Sequence, residues 1–442
     1  MTMHTSGSER PQPATHDPEG QSRFDLEHLN VQILPWWYTN AVDDERGGVL
    51  TCFDNQGALL STDKYTWSQG RWAWLMGRVF RAGRSGLTVA GSDAALERAA
   101  GTADFLAGHA VLEGGMTAYQ TTREGEPVPQ PAQDGALHTS VYSDLFAVLG
   151  FAGAIGAARA ATDTAPFASR IATWTSAATE VLRSASARVS DGTALTEPYP
   201  VPAGMTSLGV RMMQLNAASE LYAATGSPEV EQEALRSATA LAESLRSGDG
   251  SLPSDFGFAD GVGDTDSLIS RHRTPGHVLE ALWFLVDAGA VMPQAAELVD
   301  PWMPELARRA LELGWDTECG GLLRYADRAG GAPQGTRSGS RYEDLVAATW
   351  STKLWWPHAE ALYALPAIAD ATGSDLLWEW NDRIRDYTYA TFPAAPGQEW
   401  TQIRDRQGRP LNEVVALPVK DPFHIGRALL LSALRGTTEG NK

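Results

Sequence analysis

Leu221-Tyr222-Ala223-Ala224-Thr225-Gly226-Ser227 returns later in the chain as Ile368-Ala369-Asp370-Ala371-Thr372-Gly373-Ser374. Each stretch is rich in small residues and runs into Thr-Gly-Ser, with glycine where a helix ends in the left-handed region. The echo reads as two copies of one helical unit. Outward from it, apolar residues recur at three- and four-residue intervals and two-residue alternation is scarce, the periodicity of helices. Six Ala-rich segments with few charges begin near Trp67, Val141, Thr206, Thr274, Leu354 and Pro422, at intervals of roughly 74, 65, 68, 80 and 68 residues. More charged amphipathic stretches such as Val230–Arg246 and Leu376–Phe392 lie between them. Buried helix then outer helix, six times, predicts an all-α, closed two-layer ring; an open bundle or solenoid is the competing plan. Short β-hairpins are expected in the loops, with Gly320–Tyr325 as one strand and Asp327–Gly330 as its turn.

The chain has 442 residues, enough for two ordinary domains, but one closed ring absorbs that length. A hydrophobic share of 43% with fifteen Trp implies a large core. The formal net charge of −19 argues against nucleic acid and anionic membrane as partners. Cys52 and Cys319 are too few for a disulfide framework or a cysteine-rich metal site and read as reduced thiols of a cytoplasmic protein. Residues 1–24 are polar and lack an apolar segment, so they are expected to be a flexible leader rather than a signal peptide, with one catalytic domain over 25–437. No uninterrupted apolar run reaches the roughly 18–20 residues of a membrane span, and the protein is expected to be soluble.

Three segments place a histidine just after proline at a helix start. They are Thr274-Pro275-Gly276-His277-Val278-Leu279-Glu280, Trp355-Trp356-Pro357-His358-Ala359-Glu360 and Asp421-Pro422-Phe423-His424-Ile425-Gly426-Arg427. Proline suits the first helical turn, so the three starts are expected to converge at one end of the ring. Imidazoles, carboxylates, a guanidinium and tryptophans sharing one pocket suit proton transfer on a sugar. No His-x-x-x-His or His-Glu-x-x-His spacing and no phosphate-binding Gly-rich loop occurs, so neither metal nor other cofactor is expected.

These pieces, with Gln69-Gly70-Arg71, Met212-Met213-Gln214-Leu215-Asn216, Gly314-Trp315-Asp316, Gly320-Gly321-Leu322 and Lys353-Leu354-Trp355-Trp356-Pro357-His358, resemble the N-acylglucosamine 2-epimerase family over roughly residues 30–435. The resemblance implies an (α/α)6 barrel, a small sugar as substrate and, in many members, a homodimer. Members acting on cellobiose or mannose usually carry His in the helix that here reads Arg211–Asn216, so the chain looks closer to the N-acylglucosamine branch. It departs from the family pattern in having Asp421 and Gly426 where Gly and Pro are common. It also has a longer segment at Arg328–Leu345, whose Gly, Ser and Arg content suggests a mobile lid.

Epimerisation at C2 needs a base near one face of the carbon, a second group on the other face, and donors for the enediolate oxygen. His277 and His424 are the expected catalytic pair, on that argument and on the resemblance. Arg71 is expected at the carbonyl or ring oxygen, and Arg427 at O1 or the enediolate. Glu280 and Glu360 are expected at hydroxyls, unless they are buried partners of arginines. Trp355 and Trp356 offer an apolar platform for the sugar's C–H face. His358 and Arg211 complete the candidates, the first equally suited to packing between helices, the second to solvent. Arg271, His272 and Arg273 read as a basic loop that solvent or an anion would cover; Asp316 and Glu318 read as turn-formers. The competing activities are aldose–ketose isomerisation on the same site and glycoside hydrolysis by paired carboxylates. A non-catalytic sugar-binding protein is the third alternative.

Overall fold

The computed structural model describes residues 17–246, 251–258, 263–413 and 418–436. Helix α1 (Pro18–His28) passes through a π turn at Leu29–Ile33 into α2 (Leu34–Asn40). There follow α3 (Thr66–Arg84), α4 (Ser92–Phe105), α5 (Val141–Arg159), α6 (Ala168–Ser190), α7 (Leu208–Thr225) and α8 (Pro228–Leu245). The second half holds α9 (Leu268–Arg271), α10 (Pro275–Val291), α11 (Pro293–Ala296), α12 (Trp302–Gly314) and α13 (Arg341–Thr349). It closes with α14 (Trp355–Thr372), α15 (Trp378–Thr391) and α16 (Phe423–Arg435).

Helices α3, α5, α7, α10, α14 and α16 each pack on the next, and α16 returns to α3. Outside them lie α4, α6, α8, α12, α15 and the α1–α2 run. The ring is closed, an (α/α)6 barrel, and its six inner helices begin within two residues of the starts read from the sequence. Gly226 and Gly373 end α7 and α14 with φ of 67° and 65°, as their Thr-Gly-Ser echo implied. Glycine also sets the tightest helix contact. A Cβ on Gly70 would fall 1.9 Å from the Phe146 carbonyl oxygen, and one on Gly153 would fall 2.4 Å from the Trp74 Cα. The small residues of α3 and α5 therefore let two backbones meet, which is why these segments carry so few bulky polar side chains. By length and composition α5 could cross a membrane, but 94% of its apolar window is buried inside the ring.

A residue outside the repeat pattern ties the two ends of the chain together. Asp25, wholly buried on α1, accepts from Arg385 Nη1 and Nη2 at 2.9 and 2.7 Å, from Tyr389 Oη at 2.5 Å and from Ser432 Oγ at 2.6 Å. It ties the first outer helix to α15 and α16. Helix α1 starts at Pro18, capped by Asp17, so the expected leader is helical from that point; residues 1–16 of it lie outside the described residues. The expected strand at Gly320–Tyr325 is also displaced. Gly320 and Gly321 both have positive φ and turn the chain. The two-residue strand Ala326–Asp327 pairs instead with His272–Arg273, just before α10. Similar short ribbons precede α3, α7 and α14. They bring the loops over one end of the ring, where the inner helices start.

Candidate active site

The N-terminal turns of the inner helices surround a cavity whose empty space, mouth included, is about 1160 Å³. Parallel inner helices aim their N-terminal dipoles at this space, which favours negative charge on wall or ligand. Arg71, Glu280, His277, Trp355, Trp356 and His424 line it, so the structure brings together six of the ten expected residues. The indole of Trp356 stands beside both imidazoles, with ring centres 5.2 Å from His277 and 5.7 Å from His424.

The two histidines have opposite surroundings. His277 Nδ1 lies 2.7 Å from Asp255 Oδ1, a buried carboxylate, which leaves Nε2 as the free ring nitrogen. Burial pulls this imidazole towards the neutral form, but Asp255 outweighs burial and its proton is held above the usual histidine range. His424 Nδ1 lies 2.6 Å from Glu360 Oε1, so Nδ1 carries the proton and Nε2 presents a lone pair. Arg71 Nη2 is 3.1 Å from that Nε2 and donates to it. Burial and the Arg71 charge together push His424 down to about 3. One cavity therefore holds a histidine whose proton is held more tightly than usual and one pushed towards the neutral form.

Arg71 is held for this position. Its guanidinium lies 4.3 Å from the ring centre of Phe146 and 4.9 Å from that of Trp67, and Nη1 donates to Asp421 Oδ2 at 3.2 Å. Arg71 Nε and Trp355 Nε1 are buried donors with no partner among the described residues. Behind the wall, Arg427 Nη2 donates to Glu280 Oε1 at 2.6 Å and to Glu360 Oε1 at 2.7 Å. Glu360 Oε2 also accepts from Trp283 Nε1 at 2.9 Å. Glu280, Glu360 and His424 converge closely enough to suggest a metal site, but Arg427 already supplies the positive charge between the two carboxylates.

Four candidates stand elsewhere than expected. Glu360 and Arg427 do not line the cavity; they fix His424 and Glu280 from behind. His358 is fully buried between helices. Its Nδ1 donates to the Leu354 carbonyl at 2.7 Å, its Nε2 accepts from the Leu322 N–H at 2.8 Å, and its ring stacks on Tyr387. It lies two residues beyond Trp356, about 200° further round α14, and so faces away from the cavity. Arg211 turns to the outer layer and donates to Ser244 Oγ on α8. The basic loop is not free either. His272 is buried, Arg271 pairs with Asp327 at 2.7 Å, and Arg273 donates to backbone carbonyls including that of Leu252. Asp316 does receive the turn N–H groups of Glu318 and Cys319, and also pairs with Lys353 and Arg406.

A model of the family described as N-acylglucosamine 2-epimerase (GlcNAc 2-epimerase) matches residues 47–428. The chain belongs to the N-acylglucosamine 2-epimerase family. It is a sugar isomerase of the 2-epimerase kind. The N-acylglucosamine 2-epimerases of Mus musculus and Homo sapiens are each 26% identical to it, over 415 and 412 residues. These alignments cover 90% of this chain and 88% and 86% of those proteins. A sugar epimerase from a ruminal bacterium shares the fold with a TM-score of 0.71 at 17% identity, covering 95% of this chain and 99% of that one. D-mannose isomerase does so with a TM-score of 0.68 at 14% identity, covering 96% and 100%.

Within this epimerase-family chain, sequence reading missed Asp255, Arg324 and the wall tyrosines Tyr142, Tyr199, Tyr325 and Tyr342. Asp255 sits in a loop, brought to His277 because Phe256–Phe258 pairs with Met205–Ser207. No helix start marks it; the only local signal is the alternating Phe256-Gly257-Phe258 that follows. Asp421, noted as a departure from the family pattern, lies in the wall. The expected lid Arg328–Leu345 ends in α13, whose start carries a Ser340–Glu343 capping box, and Tyr342 on that helix faces the cavity.

Proposed function

We propose that this chain interconverts a free aldose, of the N-acyl aminosugar class, with its C2 epimer through an enediolate. The observation that carries the reading is that His424 and His277 line one cavity with opposite charges beside them, Arg71 at 3.1 Å from His424 Nε2 and Asp255 at 2.7 Å from His277 Nδ1. His424 Nε2 removes the C2 proton, and the electron pair moves through the C1–C2 bond onto O1. Arg71, already beside that nitrogen, turns its donors to the oxygen as negative charge develops there, and the helix N-termini favour the same charge. His277, protonated against Asp255, returns a proton to C2 from the other face. The two imidazoles then hold exchanged protonation states, which solvent resets. Trp356 separates the two bases and offers its face to the sugar's C–H surface. Glu280 accepts from a hydroxyl while Arg427 holds it in place.

Met212 and Met213 line the wall contributed by α7. A Cβ on Gly209 would sit 3.7 Å from His277 Cε1. Tyr142 Oη and Ser207 Oγ lie 2.9 and 3.5 Å from the same point, so this cut-back side of the pocket sets hydroxyls beside the methionines, which supports an acylamino group at C2.

Proton NMR in D2O tests the reading, with N-acetylglucosamine, N-acetylmannosamine, glucose, mannose, fructose and cellobiose as substrates. Deuterium at C2 with inverted configuration is the expected result. A ketose product moves the chain to aldose–ketose isomerisation. Absence of exchange on all six refutes the proposed substrate class.

A further inference from the structure

Most charges in the cavity wall have an opposite charge beside them. Arg71 meets Asp421 at 3.2 Å, His277 meets Asp255 at 2.7 Å, and Glu280 meets Arg427 at 2.6 Å. Arg324 does not. It lines the same cavity, is 3% exposed, and forms no ion pair among the described residues. Its Nη1 donates to Thr349 Oγ1 at 3.0 Å and its Nη2 to Tyr199 Oη at 3.4 Å, both neutral oxygens. The Tyr325 ring centre lies 4.9 Å from the guanidinium carbon.

A guanidinium taken out of water without a counter-charge is costly, and arginine cannot shed its proton to escape that cost. Hydroxyl partners and an aromatic face soften the penalty but leave the positive charge uncancelled. The walls around it are built from separate parts of the chain: Tyr199 before α7, Tyr325 beside the Ala326–Asp327 strand, and Tyr342 and Thr349 on α13. Tyr199 and Tyr342 meet edge to face, with ring centres 6.2 Å apart. The long segment that ends in α13 thus helps form a hydroxyl-rimmed recess around a buried cation. Arg324 and His277 line the same cavity, so one bound molecule reaches both the recess and the histidine.

Resting on the epimerase reading above, we propose that Arg324 is the anchor of an anion subsite, and that the preferred substrate is an aldose carrying an anionic group. Planar bidentate recognition by guanidinium suits either a carboxylate or a phosphate ester. Tyrosine hydroxyls at the rim supply further donors.

The test compares kcat/KM for C2 deuterium exchange on neutral and acidic sugars. N-acetylglucosamine is set against N-acetylmuramic acid, which bears a carboxylate on its C3 ether, and against N-acetylglucosamine 6-phosphate. Glucose is set against glucuronic acid. At least one acidic sugar is expected to exceed its neutral counterpart tenfold or more, through a lower KM. Which arm responds tells carboxylate from phosphate. Arg324→Gln is expected to bring the ratio near one, and Arg324→Lys to keep part of it. Neutral sugars used as well as all three acidic ones would overturn the subsite and leave the epimerase reading intact, as would an unchanged ratio in Arg324→Gln. If no sugar exchanges at C2, the epimerase reading falls and the subsite with it. Should Arg324→Gln fail to fold, the wild-type ratios decide alone.

Discussion

Replacing Asp255 by asparagine removes one charge and almost no volume, which isolates what that carboxylate does for His277. The contact is 2.7 Å and the carboxylate is 4% exposed, so solvent screens it little. A hydrogen bond between charged partners of this kind contributes about 1.5–3 kcal/mol. If that energy holds the imidazolium in the reactive orientation, its loss lowers kcat/KM by about 10- to 150-fold. The pH profile gives a sharper signature. In the proposed mechanism the working state has His277 protonated and His424 neutral. A histidine held above its ordinary range loses its proton only as pH rises through that higher value, so His277 sets the alkaline limb. His424, pushed down to about 3, keeps the acid limb far below neutrality. In Asp255→Asn the main upward push disappears and only the charge of Glu280 still opposes burial, so the alkaline limb must move towards acid while the acid limb stays. Initial rates of C2 deuterium exchange from about pH 4.5 to 9.5, with thermal melts as a folding control, give the alkaline limb and show whether an acid limb enters that range. An alkaline limb that does not move in the folded variant means His277 is not the acid, and the assignment is wrong.

Three further substitutions separate chemistry from architecture. His424→Asn should abolish exchange at C2 while titration calorimetry still detects sugar binding; near wild-type turnover would remove His424 from the mechanism. His358→Leu should cost about 1–3 kcal/mol in urea unfolding, because the Leu322 N–H loses its acceptor inside the protein, with kcat of the folded enzyme little changed. A large fall in kcat at full folding would return His358 to the site. Asp287, at the far end of the ring, accepts from Tyr363 Oη at 3.0 Å. Burial, only partly offset by Arg78, raises this carboxyl to about 6. A carboxyl raised above its unfolded value loses its stabilising contribution as pH climbs through the folded value. Asp287→Asn should therefore gain about 1–3 kcal/mol at pH 8 and little near pH 4. An equal gain at both would show that protonation is not the cause.

The ring was legible because its signal is local and repeated. Helical periodicity, six small-residue segments at similar spacing and glycines at Gly226 and Gly373 each follow from backbone geometry within a few residues. Arg71, Glu280, His277, Trp355, Trp356 and His424 could be placed at the cavity because inner-helix starts all point to one end. What the sequence could not decide was direction and partnership. His358 and His424 both follow a proline near a helix start, yet the first is locked between Leu354 and Leu322 while the second faces the cavity; His358 follows its proline directly and His424 one residue later, and one step along a helix turns a side chain by about 100°. Asp255, Arg324 and Asp25 have no local pattern, because each acts on residues distant in the chain and brought near by ring closure. Glu360, expected at a hydroxyl or as the buried partner of an arginine, takes the second of these places, and Arg427 stands with it behind the wall rather than in the cavity. Protonation depends most on the tertiary structure: two histidines of one ordinary pKa are pushed in opposite directions only when folding sets Asp255 against one, and burial with Arg71 against the other.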